Sequence, residues 1–244
     1  IVLRIDSPGG SAVASDAIWR EVMLTKKEKP VIASMSDLGA SGGYYIAMAA
    51  DAIVAQPATL TGSIGVVAGK VTTGGVYEKL GINIEPVSQG RFAEIYSPVR
   101  PFSDAERAKM QQHIDAIYEQ FLVKAAEGRG TTRDAIHELA QGRVWTGRQA
   151  QERGLVDELG GLPRAIALAK EHVGIDAEEE VQLIVYPRQK SLFELLNEGF
   201  TVTQAAVRLG WLPVSPQALE AVSAPLRMFR SGEPLALMPS VFVF

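Results

Sequence analysis

The chain has 244 residues, room for one large domain or for a domain with an appendage. Its 47% hydrophobic content, 21% charged content and mean hydropathy of +0.08 exclude a disordered chain. The 24 Lys and Arg against 28 Asp and Glu leave a formal net charge of −4, so no bulk positive field recruits nucleic acid or an anionic membrane surface.

The absence of cysteine excludes disulfides, thiolate metal sites and a thiol nucleophile. The most apolar stretch, Tyr44 to Val54, is broken by Asp51 and is too short to cross a bilayer, and the first residues carry no basic region or cleavage site. Ile1 to Asp6 reads as a strand already under way, which predicts a fragment of a longer protein.

In chain order, Ile1 to Ile5 is a short strand ended by the turn Asp6-Ser7-Pro8-Gly9-Gly10. Ser11 to Lys27 has helical spacing of Val13, Ala17, Ile18, Val22 and Met23. A strand over Val31 to Met35 leads through Gly39-Ala40 into a short apolar helix from Ser41 to Ala50. Strands are predicted for Asp51 to Ala55 and Gly62 to Val67, with Thr59 to Ser63 as the bend between them, and another near Ile82 to Val87. Ser103-Asp104-Ala105-Glu106 is a capping box opening the longest helix, whose stripe Met110, Ile114, Ile117, Phe121 and Ala125 runs up to Gly128. Helical patterns follow at Thr132 to Ala140, Gly147 to Arg153 and Pro163 to Val173, then a strand at Val181 to Tyr186. Alternating strands and helices predict an α/β layer with largely parallel strands and functional loops at the strands' carboxyl ends. The expected division is a body over 1–175 and a C-terminal strand and appendage over 176–244.

Ala40-Ser41-Gly42-Gly43 lies at a strand-to-helix junction, where a hydroxyl meets the positive end of a helix and small residues let a substrate backbone approach. Ser41 is therefore a candidate nucleophile, although serine is equally at home there as a helix N-cap. If the turn carrying Gly9 and Gly10 lies beside it, the Gly10 and Gly42 amides converge as an oxyanion hole. Of the three histidines, none lies between Ser41 and His113; His113 sits one residue off the apolar stripe of the long helix, His137 inside a surface helix and His172 beside Glu171 at a helix end, which disfavours a Ser-His-Asp triad. No metal-ligand spacing is present. A lysine base remains, its pKa lowered by burial; Lys70 is nearest in sequence to the two turns but has surroundings that do not force burial.

Taken together, Asp6-Ser7-Pro8-Gly9-Gly10, Ala40-Ser41-Gly42-Gly43-Tyr44-Tyr45-Ile46-Ala47 and Thr59-Leu60-Thr61-Gly62-Ser63-Ile64-Gly65 resemble the signal peptide peptidase A family, serine proteases of the ClpP/crotonase superfamily. Ser97-Pro98-Val99-Arg100, Gly142 to Ala150 and Gly154 to Gly160 extend the likeness over roughly Ile1 to Val173. The resemblance implies a ClpP/crotonase-like spiral of β-β-α units, Ser41 as nucleophile, Gly9, Gly10 and Gly42 as the oxyanion hole, and Ser63 as the serine that orients a lysine base. It implies no cofactor, peptide substrates left from signal peptides, a homotetrameric ring, and a bacterial inner-membrane protein whose catalytic domain faces the periplasm. In short members a Lys-Asp pair precedes the Ser-Pro-x-Arg segment, whereas here Ala93-Glu94 holds that place. The chain is thus similar to the serine-bearing second half of the long tandem form, the lysine and the membrane anchor being expected upstream. Two other functions share this frame: a crotonase-type acyl-CoA hydratase or isomerase, and a non-catalytic half that only builds the ring.

Overall fold

The computed structural model describes residues 1–187 and the strand Leu235–Leu237. The chain divides into two compact units, Ile1–Ala177 with Ser231–Phe244, and Glu178–Arg230.

In the first unit, β1 (Val2–Ser7) runs into the short strand β2 (Gly9–Ser11) and helix α1 (Ala12–Thr25), whose N-cap Ser11 accepts a hydrogen bond from the Ala14 amide at 3.2 Å. Strand β3 (Ile32–Ala40) feeds helix α2 (Gly42–Ala47), and β4 (Ala52–Ala55) and β5 (Leu60–Gly62) follow. Helix α3 (Gly74–Lys79) precedes the long α4 (Asp104–Gly128) and α5 (Arg133–Leu139). The series β6 (Val144–Thr146), α6 (Gly147–Glu152), β7 (Glu158–Leu159) and α7 (Leu162–Val173) completes the continuous part, and β8 (Leu235–Leu237) returns to it.

The sheet is organised around β3. One edge pairs in parallel with β1, Val2 opposite Ile32 through Ser7 opposite Gly39. The other edge changes partner along its length, pairing with β4 at Ile32 to Ser34 and with β5 at Leu38 to Ala40. This hand-over curls the sheet and agrees with the expected α/β spiral. β7 extends it in parallel beyond β4, whereas β6 runs antiparallel to β5. Separately, β2 pairs antiparallel with β8.

Because β3 and β4 are covered on both faces, they read as apolar runs rather than as alternating ones. Ala33, Met35, Ile53 and Ala55 join Tyr44, Met48, Phe121 and Leu122 in the main core. Ile32, Ala52 and Val54 turn the other way, toward Ala165 and Leu168 of α7. The α4 capping box forms as the sequence predicts: Ser103 accepts from the Glu106 amide, and Glu106 accepts from the Ser103 amide.

Three expected strands differ. The segment Thr59 to Ser63, expected as a bend, contains β5, while the expected strand over 62–67 ends at Gly62. The reason is local: Gly62 and Ser63 have φ of 77° and 49°, which turns the chain out of the sheet. Residues 82–87 form no strand, and their apolar side chains Ile82, Ile84 and Val87 are exposed. In the second unit, the described residues 178–187 contain no strand at 181–186 either, and Leu183, Ile184 and Val185 lie exposed.

Candidate active site

Strand β3 ends at Ala40, and Ser41 is held at the junction to α2 by main-chain bonds on both sides. Its amide donates to the Gly62 carbonyl at 2.8 Å, and its carbonyl accepts from the Tyr45 amide at 2.8 Å. The residue adopts φ 52° and ψ −114°, a backbone conformation that costs a non-glycine residue roughly 1–3 kcal/mol. Although Ser41 occupies the N-cap position, its side chain makes no capping bond. Its hydroxyl is fully buried and has no hydrogen-bond partner among the described residues. The N-cap role that the sequence left open is therefore not the role of this side chain.

Ser63 shares these properties. It is fully buried, its φ is 49°, and its hydroxyl also has no partner among the described residues. Its amide donates to the Arg143 carbonyl at 2.7 Å. Because Ser41 bonds the carbonyl of Gly62, the residue immediately before Ser63, one short stretch of β5 backbone positions both serines.

The two glycine-bearing turns lie side by side. A Cβ placed on Gly42 would stand 3.1 Å from the Gly10 nitrogen, 3.2 Å from the Gly9 Cα and 2.6 Å from the Ser15 Oγ. Only a residue without a side chain permits this approach. Ser15 is itself pinned, donating from its hydroxyl to the Ser11 carbonyl at 2.9 Å. Gly9, Gly10 and Gly42 are thus brought together beside Ser41, with the Gly10 nitrogen at the point of contact.

The sequence did not reveal what holds α2 against its neighbours. Tyr45, one turn beyond Ser41, donates from its hydroxyl to Asp16 Oδ1 at 2.7 Å, and Lys124 of α4 donates to the same oxygen. The Lys124 ammonium stands 3.7 Å from the centre of the Trp19 ring. Burial raises the Asp16 pKa, but the bonds from Lys124 and Tyr45 more than offset it and the net shift is downward. Three helices, α1, α2 and α4, are joined by this cluster. A signal was present in that Lys124 directly precedes the stripe residue Ala125, where a solvated lysine is not expected.

No lysine among the described residues bonds either serine hydroxyl. Lys70 donates instead to the Ile95 carbonyl at 3.1 Å and lies over the Phe102 ring. Partial burial lowers its pKa, while Glu106 opposes that shift and Arg100 adds to it. At the place where a Lys-Asp pair is expected in short members of the resembled family, Glu94 accepts from Arg100 at 3.3 Å and from the Ser88 hydroxyl at 2.5 Å. His137 contacts the Tyr118 hydroxyl at 3.1 Å, and His113 lines an apolar hollow with Phe92, Ile95 and Met110. No group of His, Asp and Glu suited to a metal ion occurs among the described residues.

Comparison with known proteins gives a consistent picture. The profile of peptidase family S49 matches residues 23–176, more than half of the chain. The chloroplastic serine protease SPPA of Arabidopsis thaliana is 50% identical over 198 residues, covering 80% of this chain and 29% of the relative. Protease 4 of Salmonella typhi is 35% identical over 240 residues, covering 97% of this chain and 38% of the relative. Protease 4 of Haemophilus influenzae is 38% identical over 183 residues, covering 75% of this chain and 30% of the relative. The chain thus spans between 29% and 38% of the length of these three relatives.

Proposed function

Because the chain belongs to peptidase family S49, we propose that it is the serine-bearing part of a serine endopeptidase that works through a Ser-Lys dyad and degrades released signal peptides at a membrane. The observation that carries this reading is Ser41: a buried hydroxyl, free of any cap bond, on a strained backbone beside the contact between Gly42 and the Gly10 nitrogen.

The chemistry follows from those groups. The Ser41 oxygen attacks the carbonyl carbon of an extended peptide, and its proton passes to a neutral lysine amine. The Gly10 and Gly42 amides donate to the oxyanion of the tetrahedral intermediate, where a single donor contributes about 3–4 kcal/mol. The protonated lysine then returns the proton to the leaving amine, and water hydrolyses the acyl-serine by the same route in reverse. The Ser63 hydroxyl orients the lysine between its two tasks.

The lysine is proposed to come from another segment of a longer protein. That proposal is supported by the two serine hydroxyls that have no partner among the described residues, by Glu94 at the position expected for a lysine pair, and by the fraction of each relative that the chain spans. By the family resemblance alone, the full protein is further proposed to form a ring of four copies at the bacterial inner membrane with its sites facing the periplasm. No helix among the described residues is long and apolar enough to cross a membrane.

The test is modification of Ser41 in the full-length protein by a fluorophosphonate, located by mass spectrometry, together with hydrolysis of an alanine- and leucine-rich peptide. Both are expected, and both are expected to disappear in Ser41→Ala. Hydrolysis at full-length rates by the 244-residue chain alone would overturn the separate lysine. Unchanged turnover in full-length Ser41→Ala would make the chain a scaffold half.

A further inference from the structure

The cluster that joins α1, α2 and α4 lies where two separate pieces of the site have to be kept in register. The turn bearing Gly9 and Gly10 runs through Ser11 into α1, where Asp16 directly follows Ser15, the residue against Gly42. Ser41 and Gly42 open α2, a helix of six residues, too short to hold its position without tertiary anchors. Two tyrosines supply such anchors on different sides. Tyr44 donates from its hydroxyl to the Leu155 carbonyl at 3.0 Å, in a region that carries none of the candidate site residues. Tyr45 donates from its hydroxyl to Asp16 Oδ1 at 2.7 Å, and so reaches the helix that continues from the Gly10 turn. The Tyr45 amide also donates to the Ser41 carbonyl at 2.8 Å. One residue therefore grips the main chain of the candidate nucleophile at one end and the helix of the glycine turn at the other.

The bond between them is itself well held. Tyr45 is only 3% exposed, and its ring centre lies 4.7 Å from that of Phe121 on α4. Burial and the Asp16 carboxylate both raise its pKa, so the hydroxyl stays a donor. Lys124 donates to the same Asp16 oxygen and rests over the Trp19 ring of α1, which fixes the acceptor from a third helix.

We propose that Tyr45 and Asp16 are positioning residues of the peptidase site: their hydrogen bond sets the spacing between the Gly10 and Gly42 amides, and Lys124 locks the carboxylate in place. This rests on the serine peptidase reading given above. Both residues act through the glycine amides rather than on the peptide. A misplacement of about 1 Å in such a site costs on the order of a hundredfold in rate. Because oxyanion donors act on charge that develops in the transition state, a loosened spacing shows in kcat rather than in KM.

The test is steady-state hydrolysis of the alanine- and leucine-rich peptide by the full-length protein, well below the melting temperature of each variant. Tyr45→Phe keeps the ring and deletes one donor; it is expected to lower kcat at least about tenfold with KM within about twofold. Asp16→Ala is expected to match it, while Asp16→Asn, whose amide oxygen accepts the same bond, keeps kcat within about threefold of the parent. Tyr44→Phe removes a similar bond from the other side of α2 and is expected to lower the melting temperature with kcat within about twofold. In a Gly42→Ala background, where the donor is already displaced, Tyr45→Phe is expected to cost less than about threefold. Should Tyr45→Phe not fold, the two Asp16 variants carry the same comparison. Unchanged kcat in Tyr45→Phe, an equal fall in Tyr44→Phe, a fall in Asp16→Asn as large as in Asp16→Ala, a loss confined to KM, or the full cost repeated beside Gly42→Ala overturns the proposal. Hydrolysis by the parent that does not depend on Ser41 sinks the peptidase reading itself, whereas Ser41-dependent hydrolysis untouched by Tyr45→Phe sinks the positioning role alone.

Discussion

Of the three serines that stand at helix N-termini among the described residues, Ser11, Ser41 and Ser103, the last two are used in opposite ways. Ser103 at the start of α4 has an extended backbone, φ −69° and ψ 165°, and its hydroxyl accepts from the Glu106 amide at 3.3 Å. Ser41 at the start of α2 has φ 52° and ψ −114°, and its hydroxyl caps nothing. The first arrangement stabilises a helix by about 1 kcal/mol, while the second strains the backbone and leaves a buried hydroxyl with no partner among the described residues, each at a cost in stability. The same residue type in the same formal position is therefore structural in one region and costly in the other. The difference lies in the backbone angle, which the neighbouring groups impose: the Gly62 carbonyl of β5 accepts from the amide of Ser41, whereas the amide of Ser103 donates to the Glu106 side chain of its own helix.

Substitutions can break this contrast, beginning with the largest effect. Ser41→Ala in the full-length protein is expected to lower kcat/KM for a peptide by at least about a thousandfold, with no fall in melting temperature because no cap is lost. A fall in stability of the size expected for a cap would mean that Ser41 is structural after all. Gly42→Ala drives a methyl group against the Ser15 Oγ and the Gly10 nitrogen. It is expected to reduce kcat by about a hundredfold or more by displacing an oxyanion donor, with a smaller change in KM.

Ser63→Ala is expected to reduce kcat by about ten- to a hundredfold and to shift the pH-rate profile, which a purely structural serine would not do. Ser103→Ala is expected to leave kcat unchanged and to lower the melting temperature by about 2–4 °C, matching a loss of about 1 kcal/mol.

The smallest effect concerns acid stability. Arg100 donates to both oxygens of Glu106, at 2.7 and 2.8 Å, and with the Ser103 amide it holds that carboxyl at about 2, below the usual 4.5. A depressed folded-state value stabilises the protein above the unfolded pKa and loses that contribution as pH falls toward the folded one. Thermal melts of Glu106→Gln and the parent, compared between pH 5 and 2, are therefore expected to converge with acidification.

Much of the fold was legible in the sequence because it depends on local rules. The α4 capping box, the buried strand at residues 52–55 and the glycine turn beside Ser41 follow from residue type and spacing. The expected strand over 62–67 was misplaced because Ile64, Val66 and Val67 look like strand residues, while the positive φ at Ser63 comes from the tertiary bond to the Arg143 carbonyl. The antiparallel direction of β6 depends on a chain path of about eighty residues that periodicity does not encode. At the site, Gly9, Gly10, Gly42, Ser41 and Ser63 could be picked out by motif, but their adjacency could only be supposed until Gly42 was found against Gly10. The Asp16, Tyr45 and Lys124 cluster joins residues far apart in sequence, and its one trace there is the place of Lys124 beside the apolar stripe of α4, which names neither partner.

The tight seat of Gly62 carries one more consequence. A Cβ there would lie 2.8 Å from Trp145 Cδ1, so the indole is pressed against the rung that carries one serine and adjoins the other. Trimming or enlarging the side chain at position 145 thus offers a remote handle, by which both serine hydroxyls are nudged in concert while the residues proposed to meet the peptide stay as they are.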